Sequence, residues 1–321
     1  MDLARMLERC EEGQWAPSDL DWSGSPRPMS RAEEERIVQL FTDMAGVERL
    51  AEALFRERAE RVEDATLRKI FRSFAGDEAR HAQVARRLAE FYDVHHLRSY
   101  RTRPNLERFV PHLVDAIRCL SDDVANVYIT CGELVLDIAL LRSIDDYVSD
   151  PMSAQAIRLI NRDESRHIAI DYYMVESYSS PEYAARTRER AAQRSIWETA
   201  QTWRTLITML YYARPFIRGF VEPIDLVDAN GARLREAMKR FQQLGAKPGM
   251  CERPFGKFAL RLQELYHRPV IRALFGKGLG RVAGVGEQFL ERLNTEAELT
   301  EAASKSYHEL AEEALAVKRL R

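Results

Sequence analysis

Apolar residues recur every three or four positions along most of the chain, which is the period of an amphipathic α-helix. Four long stretches of this pattern predict helices in the first half of the sequence, at residues 31–64, 66–92, 111–146 and 151–178. After Pro181 the pattern remains helical, and it predicts further helices at residues 182–213, 231–244, 255–273 and 287–319. These periodicities favour an all-α fold in which the first four helices form a bundle.

The segments outside these helices differ in character. Residues 1–30 mix Trp and Pro with Gly and Ser, which predicts an irregular arm over the main body, with a short helix at Leu3–Cys10. Ser30 and Glu33 form a capping box that opens the first long helix. The glycine-rich stretch 276–284 follows no strand pattern, so it indicates a flexible interhelical connection rather than a nucleotide-binding loop. The predicted division is an N-terminal arm (1–30), a bundle (31–180) and a helical extension packed on the bundle within the same domain (181–321).

Composition and charge narrow the class of protein. Charged residues make up 31% of the chain and hydrophobic residues 45%, a profile typical of a soluble, largely helical protein. The formal net charge of −2 gives no indication of binding to nucleic acid or to an anionic membrane. The longest apolar run, Leu206–Ala213, is too short to span a bilayer. The start of the chain lacks a signal-peptide pattern and the four Cys form no Cys-x-x-Cys pair, so we expect a reducing, cytoplasmic setting.

Two five-residue motifs nearly repeat each other, and each lies late in a helical segment. They are Asp77-Glu78-Ala79-Arg80-His81 and Asp163-Glu164-Ser165-Arg166-His167. Residues three apart share one face of a helix, so the Glu and the His of each motif can point at the same place. A carboxylate and an imidazole that converge form a ligand pair suited to iron, manganese or zinc. A single copy would be explained by an exposed polar face, whereas the near repeat predicts a metal site.

The first and third helices carry acidic residues inside their apolar stripes. Glu48 and Glu52 lie in the stripe of the first helix, and Glu133 lies in that of the third. Glu48 precedes Glu78 by 30 residues and Glu133 precedes Glu164 by 31, with a predicted turn near the middle of each interval. On antiparallel helices this spacing brings both members of each pair to a similar level. The two hairpins therefore predict four carboxylates and two imidazoles at one depth in the bundle.

With these residues the chain resembles the ferritin-like di-iron carboxylate superfamily. The Asp-Glu-x-Arg-His form is similar to the motif of bacterial multicomponent hydroxylases and acyl-carrier-protein desaturases, and the resemblance covers about residues 31–178. It implies a ferritin-like four-helix bundle that holds two Fe ions, with a mixed Mn/Fe centre as the alternative. The ligands it implies are Glu48, Glu78, His81, Glu133, Glu164 and His167. Ala51 and Phe55, three and seven residues after Glu48, resemble the first ligand helix of rubrerythrins, which favours Glu48 over Glu52.

The resemblance also implies a set of outer residues around the ligands. Asp77 and Asp163 match carboxylates that bond the far nitrogen of the other hairpin's His, which would fix the ring and raise its basicity. Arg80 and Arg166 follow them by three residues and can pair with them on the same helix face. Asp171, one turn after His167, belongs to the same predicted set.

The sequence departs from individual members of the superfamily at three positions. Ala85 stands where the ribonucleotide reductase radical subunit has a Tyr, which argues against a stable tyrosyl radical at that position. Ile160 stands where aminoarene N-oxygenases have a seventh ligand His, so the resemblance to them is partial. Asp137 stands where hydroxylases often have a Thr, one turn after Glu133. A structural ion pair, an extra metal ligand and a substrate-recognition group are all open for Asp137, which is our candidate catalytic residue.

The function implied by the resemblance is an O₂-activating oxidoreductase. It would oxidise a small organic substrate, free or carrier-bound, by hydroxylation, N-oxygenation or desaturation, with electrons from a ferredoxin or a flavin reductase. The alternatives are a ferroxidase or peroxidase without an organic substrate, and a non-catalytic helical interaction protein. Neither nucleic acid nor a membrane is expected as a partner, and a homodimer is compatible with the sequence.

Overall fold

The computed structural model describes residues 1–96, 100–141, 144, 146, 148–221, 228, 230–283 and 290–319. Within these ranges every regular element is helical, and the predicted all-α class is confirmed. The helices are α1 (Leu3–Glu12), α2 (Arg31–Arg61), α3 (Ala65–Tyr92), α4 (Pro104–Cys119), α5 (Asp122–Leu134), α6 (Pro151–Tyr178), α7 (Pro181–Ala192), α8 (Ile196–Val221), α9 (Ala232–Gly245), α10 (Pro248–Cys251), α11 (Pro254–Tyr266), α12 (Pro269–Ala283), α13 (Glu296–Ser304) and α14 (Tyr307–Arg319). A short 3₁₀ turn covers Pro17–Asp19, and a π-helical segment covers Val135–Leu141.

The chain divides into two compact units. The first comprises Met1–Val110 and Leu141–His167, and the second comprises Pro111–Leu140 and Ile168–Arg321. The predicted bundle helices α2 and α3 lie wholly in the first unit, together with the part of α6 that ends at His167. Among the described residues, no helix is both long enough and apolar enough to cross a membrane.

The hairpin of α2 and α3 provides much of the core of the first unit. The Ser30 hydroxyl accepts a hydrogen bond from the Glu33 N–H, and the Glu33 carboxylate accepts one from the Ser30 N–H, so α2 begins where the capping box predicts. The ring of Phe55 packs against Phe71 and Phe74, with centroids 6.1 and 5.4 Å away. These contacts pack α2 against α3 around the buried Phe55.

One residue of α2 lies in an environment that the stripe does not predict. At helical spacing Asp43 falls outside the apolar stripe, yet it is buried. Its carboxylate accepts a hydrogen bond of 2.8 Å from the Arg103 N–H and a second of 3.0 Å from the Gln39 side chain. The segment before α4 covers this side of the helix, and a helical pattern carries no information about such a neighbour.

The prediction of one helix over residues 111–146 is wrong. The chain enters α4 at Pro104, so Pro111 lies inside that helix, and α4 ends at Cys119. Ser121 has extended backbone angles and occupies the N-cap position of α5. The segment after α5 is π-helical, so the predicted third helix is in reality three elements.

The C-terminal half also has more breaks than its periodicity predicts. Each of the predicted helices 182–213, 255–273 and 287–319 is divided in two by a short interruption. Pro269 begins α12, and a capping box formed by Thr295 and Glu298 begins α13. The expected flexible connection at 276–284 is wrong for its described part, because residues 276–283 belong to α12. Apolar residues at helical spacing on both sides outweigh the low helix propensity of glycine here.

Candidate metal centre

Four buried side chains from three helices of the first unit converge on one point. Each contributes one potential ligand atom, and these four atoms all lie within 4.8 Å of one another. The residues are Glu48 from α2, Glu78 and His81 from α3, and Glu164 from α6. All four are fully shielded from solvent. This is the spacing expected of atoms that share a metal ion.

His167 defines a second group that shares two of these carboxylates. Its Nδ1 lies 3.0 Å from Glu78 Oε1 and 3.1 Å from Glu164 Oε2. The Nδ1 of His81 lies 3.6 Å from Glu78 Oε2 and 3.2 Å from Glu164 Oε1. Glu78 and Glu164 therefore stand between the two imidazoles, with different oxygens facing each ring. This arrangement offers two neighbouring metal positions with two carboxylates able to bridge them.

The outer nitrogens of both rings contact aspartates from the opposite motif. His81 Nε2 lies 3.2 Å from Asp163 Oδ2, and His167 Nε2 lies 3.4 Å from Asp77 Oδ2. An Nε2–H that donates to a carboxylate leaves the Nδ1 lone pair free to bind a metal. The structure thus places Asp77 and Asp163 crosswise between α3 and α6, as the resemblance implies.

Two arginines bridge the aspartates. Arg166 Nη2 lies 3.0 Å from Asp77 and 2.8 Å from Asp163, and its side chain is almost fully buried. Arg80 pairs closely with Asp77 and lies 3.6 Å from Asp163. Charged groups at such depth are tolerated only when they are paired and hydrogen-bonded. This ion-paired network holds the two aspartates, and through them the histidine rings.

The inner carboxylates show why the cluster needs a cation. Neither oxygen of Glu48 or of Glu78 accepts a hydrogen bond of good geometry from the described residues, although the imidazole nitrogens lie close to Glu78. The same holds for the inner oxygen of Glu164, and the His81 Nδ1 makes no hydrogen bond of good geometry. Buried carboxylates are normally hydrogen-bonded, paired or metal-coordinating, so these oxygens suit a metal ion. These carboxylate oxygens and imidazole nitrogens fit the two Fe ions, or the Mn/Fe pair, that the resemblance implies.

The ionisation of these groups follows from their burial and mutual charges. Burial raises the pKa of Glu48 well above its ordinary value, and the charge of Glu78 raises it further. Burial would also raise the pKa of Glu164, but the charge of His167 lowers it well below the usual range. Burial opposes the charged forms of both histidines, yet the surrounding carboxylates raise their pKa well above 6.5. The cluster therefore favours positive charge between its carboxylates, carried either by a proton or by a metal ion.

Aromatic side chains enclose the His167 side of the cluster. The ring of Phe74 lies 4.1 Å from the His167 ring, and the ring of Phe55 lies 5.2 Å from it, both measured between centroids. These side chains are fully buried. They exclude water from this side, which strengthens every electrostatic interaction of the ligands.

The N-terminal arm reaches the outer network, a contact that no pattern in the sequence predicts. The indole Nε1–H of Trp15 donates a hydrogen bond of 2.6 Å to Asp163 Oδ2, the oxygen that also faces His81. The Arg80 guanidinium lies 5.4 Å above the Trp15 ring and donates to the Gln14 side chain. The composition of the arm signals that it is irregular but does not indicate which helix it covers.

Gly13 allows the arm to approach this closely. A Cβ atom at position 13 would lie 2.7 Å from Nη1 of Arg166, which is too close for any real contact. The carbonyl oxygen of Gly13 accepts a hydrogen bond of 2.6 Å from Arg162. Cys10, one turn earlier, is buried, and burial raises the pKa of its thiol. The end of α1 is therefore packed tightly against the arginines of α6.

The structure distinguishes Glu48 from Glu52 and also places the two adjacent histidines that follow α3. Glu52 lies near the surface and pairs with Arg56 at 2.5 Å, whereas Glu48 lies in the cluster. The adjacent His95 and His96, which follow α3, are both exposed, and His95 Nδ1 lies 2.5 Å from the buried Glu34.

The remaining predicted residues belong to the second unit. Glu133 lies in the last turn of α5, Asp137 lies in the π-helical segment, and Asp171 follows His167 by one turn along α6. All three side chains are buried. A π-helical segment is often found at a functional site, and Asp137 lies within it. Their roles stay predictions.

Comparison with known proteins identifies structural neighbours. The chain is similar to an R2-like ligand-binding oxidase variant with an aerobically reconstituted Mn/Fe cofactor, with a TM-score of 0.43, 17% identity and coverage of 89% of this chain and 95% of that one. It is also similar to a variant with an anaerobically reconstituted Mn/Fe cofactor, with a TM-score of 0.41, 18% identity and coverage of 89% and 94%. No protein-family model matches the sequence, and no curated protein does. The similarity is too low to assign the chain to a family.

Proposed function

We propose that this protein is an O₂-activating oxidoreductase built around a centre of two metal ions. The observation that carries the proposal is the position of Glu78 and Glu164 between the Nδ1 atoms of His81 and His167. Carboxylates shared between two imidazoles offer a pair of adjacent sites rather than one isolated site. Two Fe ions, or one Mn and one Fe, suit this mixture of hard oxygen and borderline nitrogen ligands.

Six residues would hold the metals. Glu48, Glu78, His81, Glu164 and His167 of the first unit are the ligands whose geometry supports the proposal. We propose Glu133 of the second unit as the sixth, which would supply a fourth carboxylate. Four carboxylates balance the charge of two divalent ions, so a buried centre would carry little net charge. When bound, such metals supply the electrons and the coordination positions for reaction with O₂.

The other residues of the site hold the ligands and keep water out. Asp77 and Asp163 orient the two imidazoles and keep a proton on each Nε2. Arg80 and Arg166 neutralise these aspartates, so that they remain charged in a buried position. Phe55 and Phe74 keep the His167 side dry.

The substrate would be a small organic molecule, free or carrier-bound, that is hydroxylated, N-oxygenated or desaturated. A ferredoxin or a flavin reductase would supply electrons. Asp137 is our candidate for a group that contacts a polar substrate, because it is a buried carboxylate one turn after Glu133.

Anaerobic titration with Fe(II) tests the metal centre. We expect two irons per chain, and we expect His81→Ala and His167→Ala each to lose most of one iron, because each variant removes the one imidazole of its ligand group. His96→Ala is the matched control, since His96 is exposed, and it should keep both irons. Binding of a single iron, or full binding by both ligand variants, would contradict the two-metal site.

Consumption of O₂ by the iron-loaded protein then tests the oxidase activity. We expect the protein to consume O₂ with electrons from a chemical reductant. Candidate substrates should raise the rate of O₂ consumption. Rapid Fe(II) oxidation that no organic molecule accelerates would instead support a ferroxidase. Stable Fe(II) in air would exclude both activities.

A further inference from the structure

Exposed large hydrophobic side chains concentrate on α8 and α12, two helices of the second unit that contact each other. Between 60% and 85% of the surface of each such residue is exposed. They are Ile196, Trp197, Trp203, Ile207 and Tyr211 on α8, and Val270, Leu274 and Phe275 on α12. Outside α8, α11 and α12, only Met1 and Val94 are exposed to a comparable degree in the part of the chain that the structure describes. We call these eight residues, together with the exposed Arg204, Arg214 and Arg268, the α8–α12 surface.

The residues on α8 form one continuous stripe. Ile196, Trp203, Ile207 and Tyr211 follow one another by seven, four and four residues, which places them on one face of the helix. Buried Met209 and Ala213 lie on the opposite face, so the helix is packed on one side and apolar on its solvent side as well. The stripe is about 22 Å long at 1.5 Å per residue. Soluble proteins rarely expose contiguous apolar areas of this extent without a binding role.

Charges near this surface are mainly positive, with Glu198 in the first turn of α8 as an exposed acidic exception. The sequence contains no acidic residue from Thr199 to Val221, where it has three arginines, and none from Leu265 to Gly286, where it has three arginines and one lysine. Arg204 and Arg214 are exposed on the solvent side of α8, and Arg268 is exposed at the start of α12. A net charge of −2 for the whole chain conceals this local excess of positive charge.

We propose that the α8–α12 surface binds the face of an anionic lipid membrane. Apolar side chains would enter the boundary between headgroups and acyl chains, while the arginines would contact lipid phosphates. Trp and Tyr prefer this interfacial depth because their rings are apolar with one polar atom. The helices would lie on the membrane without crossing it, in agreement with the absence of a spanning helix among the described residues.

Charge and exposure favour a membrane over other occupants. A second copy of the chain would bring arginines against arginines, and such like-charge contacts are costly. A protein partner would need a shape complementary to these exposed side chains, whereas a fluid bilayer accommodates them without one. Membrane binding requires no metal, so it goes beyond the proposed oxidase function and can be tested independently of it.

Co-sedimentation of the full-length, metal-loaded protein with vesicles tests the proposal. We expect binding to vesicles of phosphatidylcholine with phosphatidylglycerol, weak binding to phosphatidylcholine alone, and loss of binding at high salt. Each reversal, Arg204→Glu or Arg214→Glu, should weaken binding roughly fivefold or more. Trp203→Ser and Leu274→Ser should weaken it at low salt by roughly tenfold each, because a buried apolar side chain is removed from the interface.

Matched substitutions elsewhere serve as controls. Val94→Ser removes another exposed apolar side chain and Arg36→Glu reverses another exposed arginine, and both should bind vesicles like the parent. Iron content and thermal unfolding identify any variant that is misfolded. Equal binding to neutral and anionic vesicles, or no binding to either, would overturn the proposal. So would a dimer in sedimentation experiments that Trp203→Ser dissociates, since the occupant would then be a second copy.

Discussion

Asp163 is contacted from several sides by groups that stabilise its charge. It lies 3.2 Å from His81, 2.6 Å from the Trp15 indole nitrogen and 2.8 Å from Arg166. Although burial opposes ionisation, these contacts hold its pKa below the ordinary value. Asp77 is arranged similarly toward His167 and Arg166, and its pKa is also lowered. Both aspartates therefore stay charged at neutral pH and act as fixed acceptors for the imidazole protons.

Replacement of either aspartate by asparagine tests this role. Asp77→Asn and Asp163→Asn keep the shape but remove the charge, so the imidazole tautomer is no longer fixed. We expect iron affinity to fall roughly 10- to 100-fold in each variant, measured by anaerobic titration. Asp115→Asn, at an exposed position of α4, is the control and should leave affinity unchanged. Normal iron affinity in both site variants would show that the aspartates are structural ion-pair partners only.

At the scale of elements, α1 and the turn after it hold together the two helices that carry the repeated motif. Trp15 and Gln14 contact groups of both motifs, and the Gly13 carbonyl accepts from Arg162 on α6. The arm thus restrains α3 against the first half of α6, where the outer aspartates must face the histidines of the other helix. An element that looked peripheral in the sequence has a direct structural connection to the site.

Gly13→Ala tests the tight packing of the arm. The added Cβ would lie 2.7 Å from Arg166 Nη1, so either the arginine or the arm must move. We expect the free energy of unfolding to fall by about 1–3 kcal/mol, and iron affinity to fall because Arg166 bridges both aspartates. Gly24→Ala is the matched control, since its Cβ would meet nothing within 4 Å. If both variants melt and bind iron like the parent, the arm does not constrain the network.

At the scale of the whole molecule, the main electrostatic feature is a cluster of buried charge inside a chain of small net charge. The surrounding carboxylates raise the pKa values of His81 and His167, and burial raises the pKa of Glu48, so all three groups favour their protonated forms. Metal ligation requires the deprotonated forms, so protons and metal compete for the same atoms.

This competition predicts the direction of the pH dependence. Metal binding should release protons into a weakly buffered solution, and iron affinity should rise as pH rises through the raised histidine pKa values. Calorimetric titration in two buffers with different ionisation enthalpies measures the number of protons released. His167→Ala should release fewer protons per iron than the parent. Affinity that is independent of pH between mildly acidic and neutral solution would contradict the assigned ionisation states.

The sequence by itself determined the all-α class and most of the candidate ligands. Helix periodicity is a local property, and it located α2, α3 and α6 to within a few residues. The repeat of Asp-Glu-x-Arg-His places each Glu and His on one helix face, because residues three apart always share a face. The spacing across the first turn brings Glu48 to the level of Glu78, and the resemblance to rubrerythrins favours it over Glu52. The structure finds Glu48 in the cluster with Glu78, His81 and Glu164.

The tertiary structure decided the features that depend on which segments meet. Periodicity does not reveal the break between α4 and α5, because Ser121 interrupts the helix without interrupting the apolar pattern. The contact of Trp15 with Asp163 joins residues 148 positions apart, and no local pattern specifies such a pairing. The apolar stripe of α8 has the spacing of a core-facing helix, so only its measured exposure distinguishes a surface from a core. Local physics determines the elements and their faces, whereas the packing of distant segments determines what each face contacts.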